Sequence, residues 1–267
     1  MKKVFKTIIK FISFFIIWAV LGGLVPIPEQ LSPSIWRFLA ELLPLLLMVL
    51  ITYLYIKFID KKEYDLKLKD TNFLNYLKAI MIGNIWIFTT IGIAFVLKVL
   101  KINSSNNAFL LIWGISLFLN TIMQELLARG YLYQMIKKNH NIIAAIIITT
   151  CLFTLMHGGA FEAGILAILN VLSMSLLMTI LLEYYNSLWV PIIVHFIWNF
   201  IGGLVFGVVS LAEDYPFIYN TVSYGNKIVS GGTFKIEGSI IVTIINIVLL
   251  LIYIFLLHNK KKKTVNK

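Results

Sequence analysis

Eight runs of apolar residues, separated by short polar stretches, occupy most of this sequence, and each has the length of a helix that crosses or nearly crosses a bilayer. They fall at residues 8–25, 38–56, 79–97, 108–135, 141–156, 163–182, 190–209 and 240–257. With 60% hydrophobic and only 13% charged residues in a chain of 267, too little charge is present to cover a water-soluble domain. Lipid leaves no water to satisfy exposed backbone groups, so helices are expected, and the alternating strands of a membrane barrel are absent. The expected fold is all-α: a polytopic membrane helical bundle of about eight transmembrane helices, forming a single membrane domain over 1–267. Its motif-bearing core is placed at 108–209, with peripheral helices at 1–97 and 240–257.

The net charge of +11 invites a nucleic-acid reading, but its placement opposes one. The lysines sit at the edges of apolar runs and in a terminal cluster, Lys260 to Lys263 with Lys267, where they face anionic headgroups. The expected partners are therefore membrane lipids and no nucleic acid. An N-terminus inside the cell puts seventeen Lys residues in cytoplasmic segments, among them Lys10, Lys57, Lys62 and Lys137, against five Lys and Arg outside. Eight spans then return the C-terminus to the cytoplasm. The first run has a basic start but no small-residue cleavage site before Pro26, which reads as a retained helix rather than a signal peptide. Composition suggests a bacterial plasma membrane. Cys151 is the sole cysteine, so no intrachain disulfide is expected.

Local features refine this plan. Glu41 and Pro44 mark the second span for a kink or close packing, and residues 57–78 read as a Lys-rich interfacial amphipathic piece. The fourth segment is too long for one plain crossing and is expected to tilt or bend after Met123. The stretch 210–239 is the longest outer loop, placed to cover or gate a site. No internal repeat supports an inverted-repeat transporter.

Polar groups within the apolar runs are costly, and by default they mark function. Gln124, Glu125 and Arg129 form one group, His157 with Phe153 a turn earlier a second, and His195 with Asn199 a third. Glu125 and Arg129, four apart, share a helix face, as do His195 and Asn199. Two imidazoles can hold a water or bind a metal, an amide can donate to an oxyanion, and a carboxylate can take a proton. Those are the parts needed to hydrolyse a peptide bond. The plainer reading stands beside it: a membrane histidine often serves interhelical packing, and Glu125 with Arg129 reads equally as a buried structural pair. The HExxH, GxSxG and Walker patterns are absent.

The order and spacing of Gln124-Glu125-Leu-Leu-Ala-Arg129, Phe153-Thr-Leu-Met-His157 and His195-Phe-Ile-Trp-Asn199 resemble the three motifs of the CAAX-protease and bacteriocin-processing (Abi) family of intramembrane proteases. The resemblance spans 124–199, with the other runs fitting the family's eight-helix plan more loosely. It implies that His157 and His195 position water or substrate, that Asn199 stabilises the oxyanion, and that Glu125 and Arg129 support them. It leaves metal use open: a divalent ion such as zinc, held by His157 and His195 if by any residues, or none. The family's water-activating first Glu is Gln124 here, and an amide has no useful basicity. Three explanations compete: a protein that binds partners without cutting them, catalysis with Glu125 as base, or else either a deliberate inactivating replacement or another base entering from elsewhere, for example Glu162 or Glu41. Because neighbouring helix positions are about 100° apart, Glu125 requires a bend or register shift to serve.

The expected function is thus an intramembrane endopeptidase acting on a membrane-anchored or hydrophobic peptide, with Glu125, His157, His195 and Asn199 catalytic and Gln124, Arg129 and Phe153 supporting. A membrane scaffold and a peptide transporter are the alternatives.

Overall fold

Long apolar stretches that must satisfy their own backbone groups become helices, and eleven α-helices are present among the described residues, which are 2–61, 64–211 and 213–265 of a computed structural model. Lys62 and Lys267, counted above among the inward lysines, lie outside them. The helices are α1 (Lys2–Gly23), α2 (Pro33–Leu54), α3 (Phe73–Val96), α4 (Leu111–Glu125), α5 (Leu132–Asn139), α6 (Ile142–Met156), α7 (Gly158–Ala163), α8 (Ile165–Tyr185), α9 (Trp189–Asn199), α10 (Lys227–Ser230) and α11 (Ile240–Val265). Wider π-helical turns continue α2 over Tyr55–Asp60, join α4 to α5 over Leu126–Tyr131, and extend α9 over Phe200–Val205.

Among the described residues six stretches are long and apolar enough to cross a membrane: Lys2–Gly23, Pro33–Asp60, Phe73–Val96, Leu111–Asn139, Ile165–Tyr185 and Gly232–Lys263. The fifth and seventh expected spans are shorter helices, Ile142–Met156 and Trp189–Val205. The first stops at His157, whose backbone leaves the helical region (φ −94, ψ 63) ahead of the Gly158–Gly159 pair. The second ends where Gly202 and Gly203 turn tightly under Val209 and Leu211, leaving under 3 Å for an added Cβ.

Within 57–78, read as an interfacial amphipathic piece, the helix runs on to Asp60, the described residues 64–72 are irregular, and α3 begins at Phe73. Asp65 and Asp70 accept the backbone N–H groups of Lys67 and Asn72 at 2.9 Å each, turns that compete with helix. The protein is all-α and largely helical as expected, and one short two-stranded antiparallel ribbon, β1 (Leu100–Ser105) with β2 (Tyr219–Ser223), is added to the helices. The loop 210–239 is therefore built into the fold, with the 3-10 turn Gly232–Gly238 following α10.

One packing centre joins α3, α8, α9 and α11, where the rings of Trp86 and Trp198 stack at 4.1 Å and Trp86 Nε1 donates to Asn246 Oδ1 at 2.8 Å. Close approach is set by Gly83, where an added Cβ would lie 2.9 Å from Ile197. The other centre joins α1, α2, α4, α5 and α6 through Phe14, Tyr55, Tyr64 and Tyr131. Interactions at the helix ends sort into two faces. The ribbon and the Arg37–Asp214 ion pair lie at one end of the bundle. At the other end lie the pairs of Lys10 with Asp60 and Lys137 with Glu183, together with Trp189 Nε1 donating to Leu68 O at 2.9 Å.

Candidate active site

Glu125 is the last residue of α4 before the π-helical turn Leu126–Tyr131, in which Gly130 departs from helical geometry (ψ −115). The bend expected in the fourth segment thus falls directly after Glu125. π-Turns of this kind are frequent at functional sites. Glu125 is fully buried and its Oε1 accepts from His195 Nδ1 at 2.9 Å and from Arg129 Nη1 at 3.2 Å. Arg129, also fully buried, further donates to Ser175 Oγ at 2.6 Å, Ser175 O at 2.8 Å and Thr179 Oγ1 at 3.4 Å, and lies 4.4 Å over the Phe153 ring. Ser175 and Thr179 stand one turn apart on α8, so α8 supplies the polar wall that makes a buried guanidinium tolerable.

Phe153 occupies the middle of the group, with its ring 4.3 Å from that of His157 and 5.8 Å from that of His195. His157 Nδ1 donates to Phe153 O at 2.7 Å. A carbonyl and a carboxylate only accept, so both imidazoles carry a proton on Nδ1, and Nε2 is the position that holds the lone pair in the neutral ring. Glu125, Arg129, Phe153, His157 and His195 are thereby brought together from three separate helices. Asn199 is buried at the end of α9, one turn beyond His195 and ahead of the π-helical turn Phe200–Val205; its amide has no hydrogen-bond partner among the described residues.

Gln124 faces another wall. Its Nε2 donates to Asn120 Oδ1 at 2.6 Å, Asn120 Nδ2 donates to Glu41 Oε2 at 2.7 Å, and Glu41 Oε1 accepts from Arg37 Nη1 at 3.2 Å. Arg37 in turn donates from Nε to Asp214 at 2.8 Å. The direction of this relay is dictated by its end. Paired with Arg37, Glu41 is a carboxylate and only accepts, so Asn120 presents its NH2 to Glu41 and its oxygen to Gln124. Gln124 must then donate, and its Oε1 is left as a buried acceptor with no partner among the described residues; Glu125 Oε2 is another. Of the substitute bases, Glu41 reaches the site through Asn120, whereas Glu162 is exposed on α7.

Sequence reasoning missed Asn120, Ser175 and Thr179. Asn120 is four residues before Gln124 and the i, i+4 rule finds it; Ser175 and Thr179 show no signal beyond being polar in an apolar helix. Among the described residues no group of three His, Cys, Asp or Glu is arranged to hold a metal ion.

A cavity of about 450 Å³ adjoins His157, bounded by Gly158, Ala163, Leu211, Phe234 and Glu237. A larger one, about 1110 Å³, lies at the opposite end among Lys67, Lys69 and Lys137, away from the cluster. Lys67 and Lys137 there are already paired with Asp65 and Glu183.

Residues 106–201, rather more than a third of the chain, match the family model described as type II CAAX prenyl endopeptidase Rce1-like. This Rce1-like segment includes all three motifs and every member of the cluster. No curated protein and no solved structure matches the chain.

Proposed function

We propose that this protein is an intramembrane endopeptidase of the CAAX-protease and bacteriocin-processing family, in which the Glu125–His195 pair, rather than residue 124, activates water. The observation that carries this reading is the 2.9 Å bond from His195 Nδ1 to the buried Glu125 Oε1. It fixes the imidazole tautomer and leaves Nε2 as the general base. Gln124 Oε1 accepts the second O–H of the water, and His157 Nε2 orients the substrate by accepting from its backbone N–H. As the water oxygen bonds to the scissile carbonyl carbon, its proton passes to His195 Nε2. The oxyanion that forms is stabilised by the Asn199 amide. The imidazolium, stabilised by Glu125, then protonates the leaving nitrogen as the C–N bond breaks. Arg129, anchored to Ser175, holds the Glu125 carboxylate in position. The substrate is a membrane-anchored or hydrophobic peptide, a prenylated tail among them.

All eight apolar runs cross the plasma membrane in this account, with both termini cytoplasmic and the β1–β2 ribbon outside. An impermeant maleimide should label a cysteine at Ser104 in intact cells, in a Cys151→Ser background, and label one at Asp65 only after permeabilisation. The reverse pattern contradicts this orientation.

The activity is tested by mass spectrometry of membrane and secreted peptides from cells carrying the wild type or His195→Ala at matched abundance. A peptide cut only in the wild type supports the reading. Identical profiles favour a second reading, a non-cleaving membrane scaffold, for which the tying of Gln124 to Asn120 in place of a basic carboxylate is the supporting observation.

A further inference from the structure

Glu237 stands apart from the cluster yet lines the same cavity as His157. Its position is fixed twice over. Asn170 Nδ2, on α8, donates to Glu237 O at 2.7 Å, and Ser210 N donates to Glu237 Oε2 at 2.7 Å. Asn170 is itself held by Thr243 Oγ1 at 2.5 Å. The carboxylate therefore cannot swing away from the cavity without breaking a bond to backbone N–H. Only one of its oxygens accepts from the backbone, and among the described residues Glu237 forms no ion pair. The neighbouring Lys235 sends its ammonium to Gly207 O instead. Opposite Glu237 the wall is small and open: an added Cβ on Gly158 or Gly159 would meet nothing within 4 Å. A chain can lie there with its backbone close to His157.

We infer that this cavity is the substrate cleft and that Glu237 selects a peptide bearing a Lys or Arg side chain near the bond presented to His157. A carboxylate held rigidly in a low-dielectric cleft, with one oxygen not taken up by backbone and no ion pair, is complementary to a long cationic side chain whose methylene stem packs on Leu211 and Phe234. Burial raises the Glu237 carboxyl to about 7, so a cation beside it draws out the charged form, an apolar residue leaves it partly protonated, and an acidic one opposes its ionisation. The cleft then discriminates among hydrophobic peptides by one charge. This inference rests on the proteolytic reading for the identity of the cleft, but binding alone tests it.

The test uses the full-length His195→Ala protein in nanodiscs, so that bound peptide stays intact. The probes are fluorescent apolar peptides of one length, identical except for a single Lys, norleucine or Glu moved along the sequence. At one register the Lys peptide should bind about tenfold tighter than the norleucine peptide, with the Glu peptide weakest. Glu237→Gln, which keeps an acceptor for Ser210 N–H, should remove the preference, and Glu237→Lys should favour the Glu peptide. Gly159→Val should weaken all three peptides equally. Equal binding at every register, no binding of any peptide, or a Lys preference that survives Glu237→Gln overturns the inference. Cleavage of cellular peptides by the unmutated protein, scored separately, shows whether the proteolytic reading has failed with it.

Discussion

Exchanging the amide and the carboxylate at the two ends of the Glu41–Asn120–Gln124 relay should nearly restore what each single change removes. In Gln124→Glu, the Asn120 oxygen, now 2.6 Å from the side-chain nitrogen, would meet a carboxylate. If Asn120 turns over to donate to it, the same oxygen is aimed at Glu41 Oε2, now 2.7 Å from the Asn120 nitrogen. Either way, one hydrogen bond to a charged group is replaced by two opposed acceptors. A bond of that kind contributes roughly 1.5–3 kcal/mol, and an unpaired buried polar group costs about 1–3 kcal/mol. Gln124→Glu should therefore lose about 2–4 kcal/mol of stability. Glu41→Gln should lose about 1–3 kcal/mol, because Asn120 and Arg37 both give up a charged acceptor while Arg37 keeps Asp214. In the double variant, Glu41→Gln with Gln124→Glu, the relay runs backwards. The new amide at position 41 donates to Asn120, which donates to the new carboxylate at position 124, so each acceptor again faces a donor. Its loss should be about 1 kcal/mol, the weakened contact to Arg37. Denaturant unfolding of the four proteins in one detergent gives the coupling, expected to be at least about 1.5 kcal/mol in favour of the pair. Additivity within about 0.5 kcal/mol refutes the relay. For the same reason, Gln124→Glu alone should not raise cleavage; a gain would mean that residue 124 is the base position after all.

Other outcomes follow from the site and its supports. Arg129→Ala strands a buried carboxylate and should destabilise the protein by roughly 3–5 kcal/mol in the same unfolding assay, with partial recovery in Arg129→Lys. Asn199→Ala should slow cleavage about 10²–10³-fold in a peptide assay while changing stability by less than about 1 kcal/mol, since its amide bonds to no neighbour. Asp65 is held below its ordinary carboxylate range by the Lys67 side chain, Nζ to Oδ2 at 2.6 Å, and by the Lys67 N–H. A depressed folded-state pKa means that this stabilisation is present at neutral pH and is lost as pH falls through that lowered value. The protection factor of the Leu188 amide, bonded to Lys67 O at 2.9 Å, should fall there once the slower intrinsic exchange at low pH is divided out, and an unchanged factor contradicts the assignment.

How much of this was legible in the sequence depends on what each residue's role required. Hydrophobic runs placed α1, α2, α3, α8 and α11 to within eight residues at either end, because lipid exposure demands apolar side chains over a fixed length. Spacing of four put Glu125 with Arg129 and Phe153 with His157, and both pairs meet. Three things were not legible. The β1–β2 ribbon pairs segments over a hundred residues apart; alternation is confined to the four residues Leu100–Asn103 of β1, and β2 shows none. The length of the fourth segment foretold a bend, but not that it takes the form of a π-helical turn beginning at Leu126. The polar partners Ser175 and Thr179 lie in a run read simply as a span; Arg129 gives them their role, and Arg129 reaches them only after the fold has formed.

Hydrolysis in ¹⁸O-labelled water by the purified protein in nanodiscs, presented with membrane peptides from cells lacking it, is the most direct measurement. The account predicts new peptide C-termini carrying ¹⁸O with the wild type and none with Glu125→Gln, a variant that retains the shape of the site but not its charge. Absence of labelled termini with the wild type, or the same labelled termini at the same rate with Glu125→Gln, would contradict it.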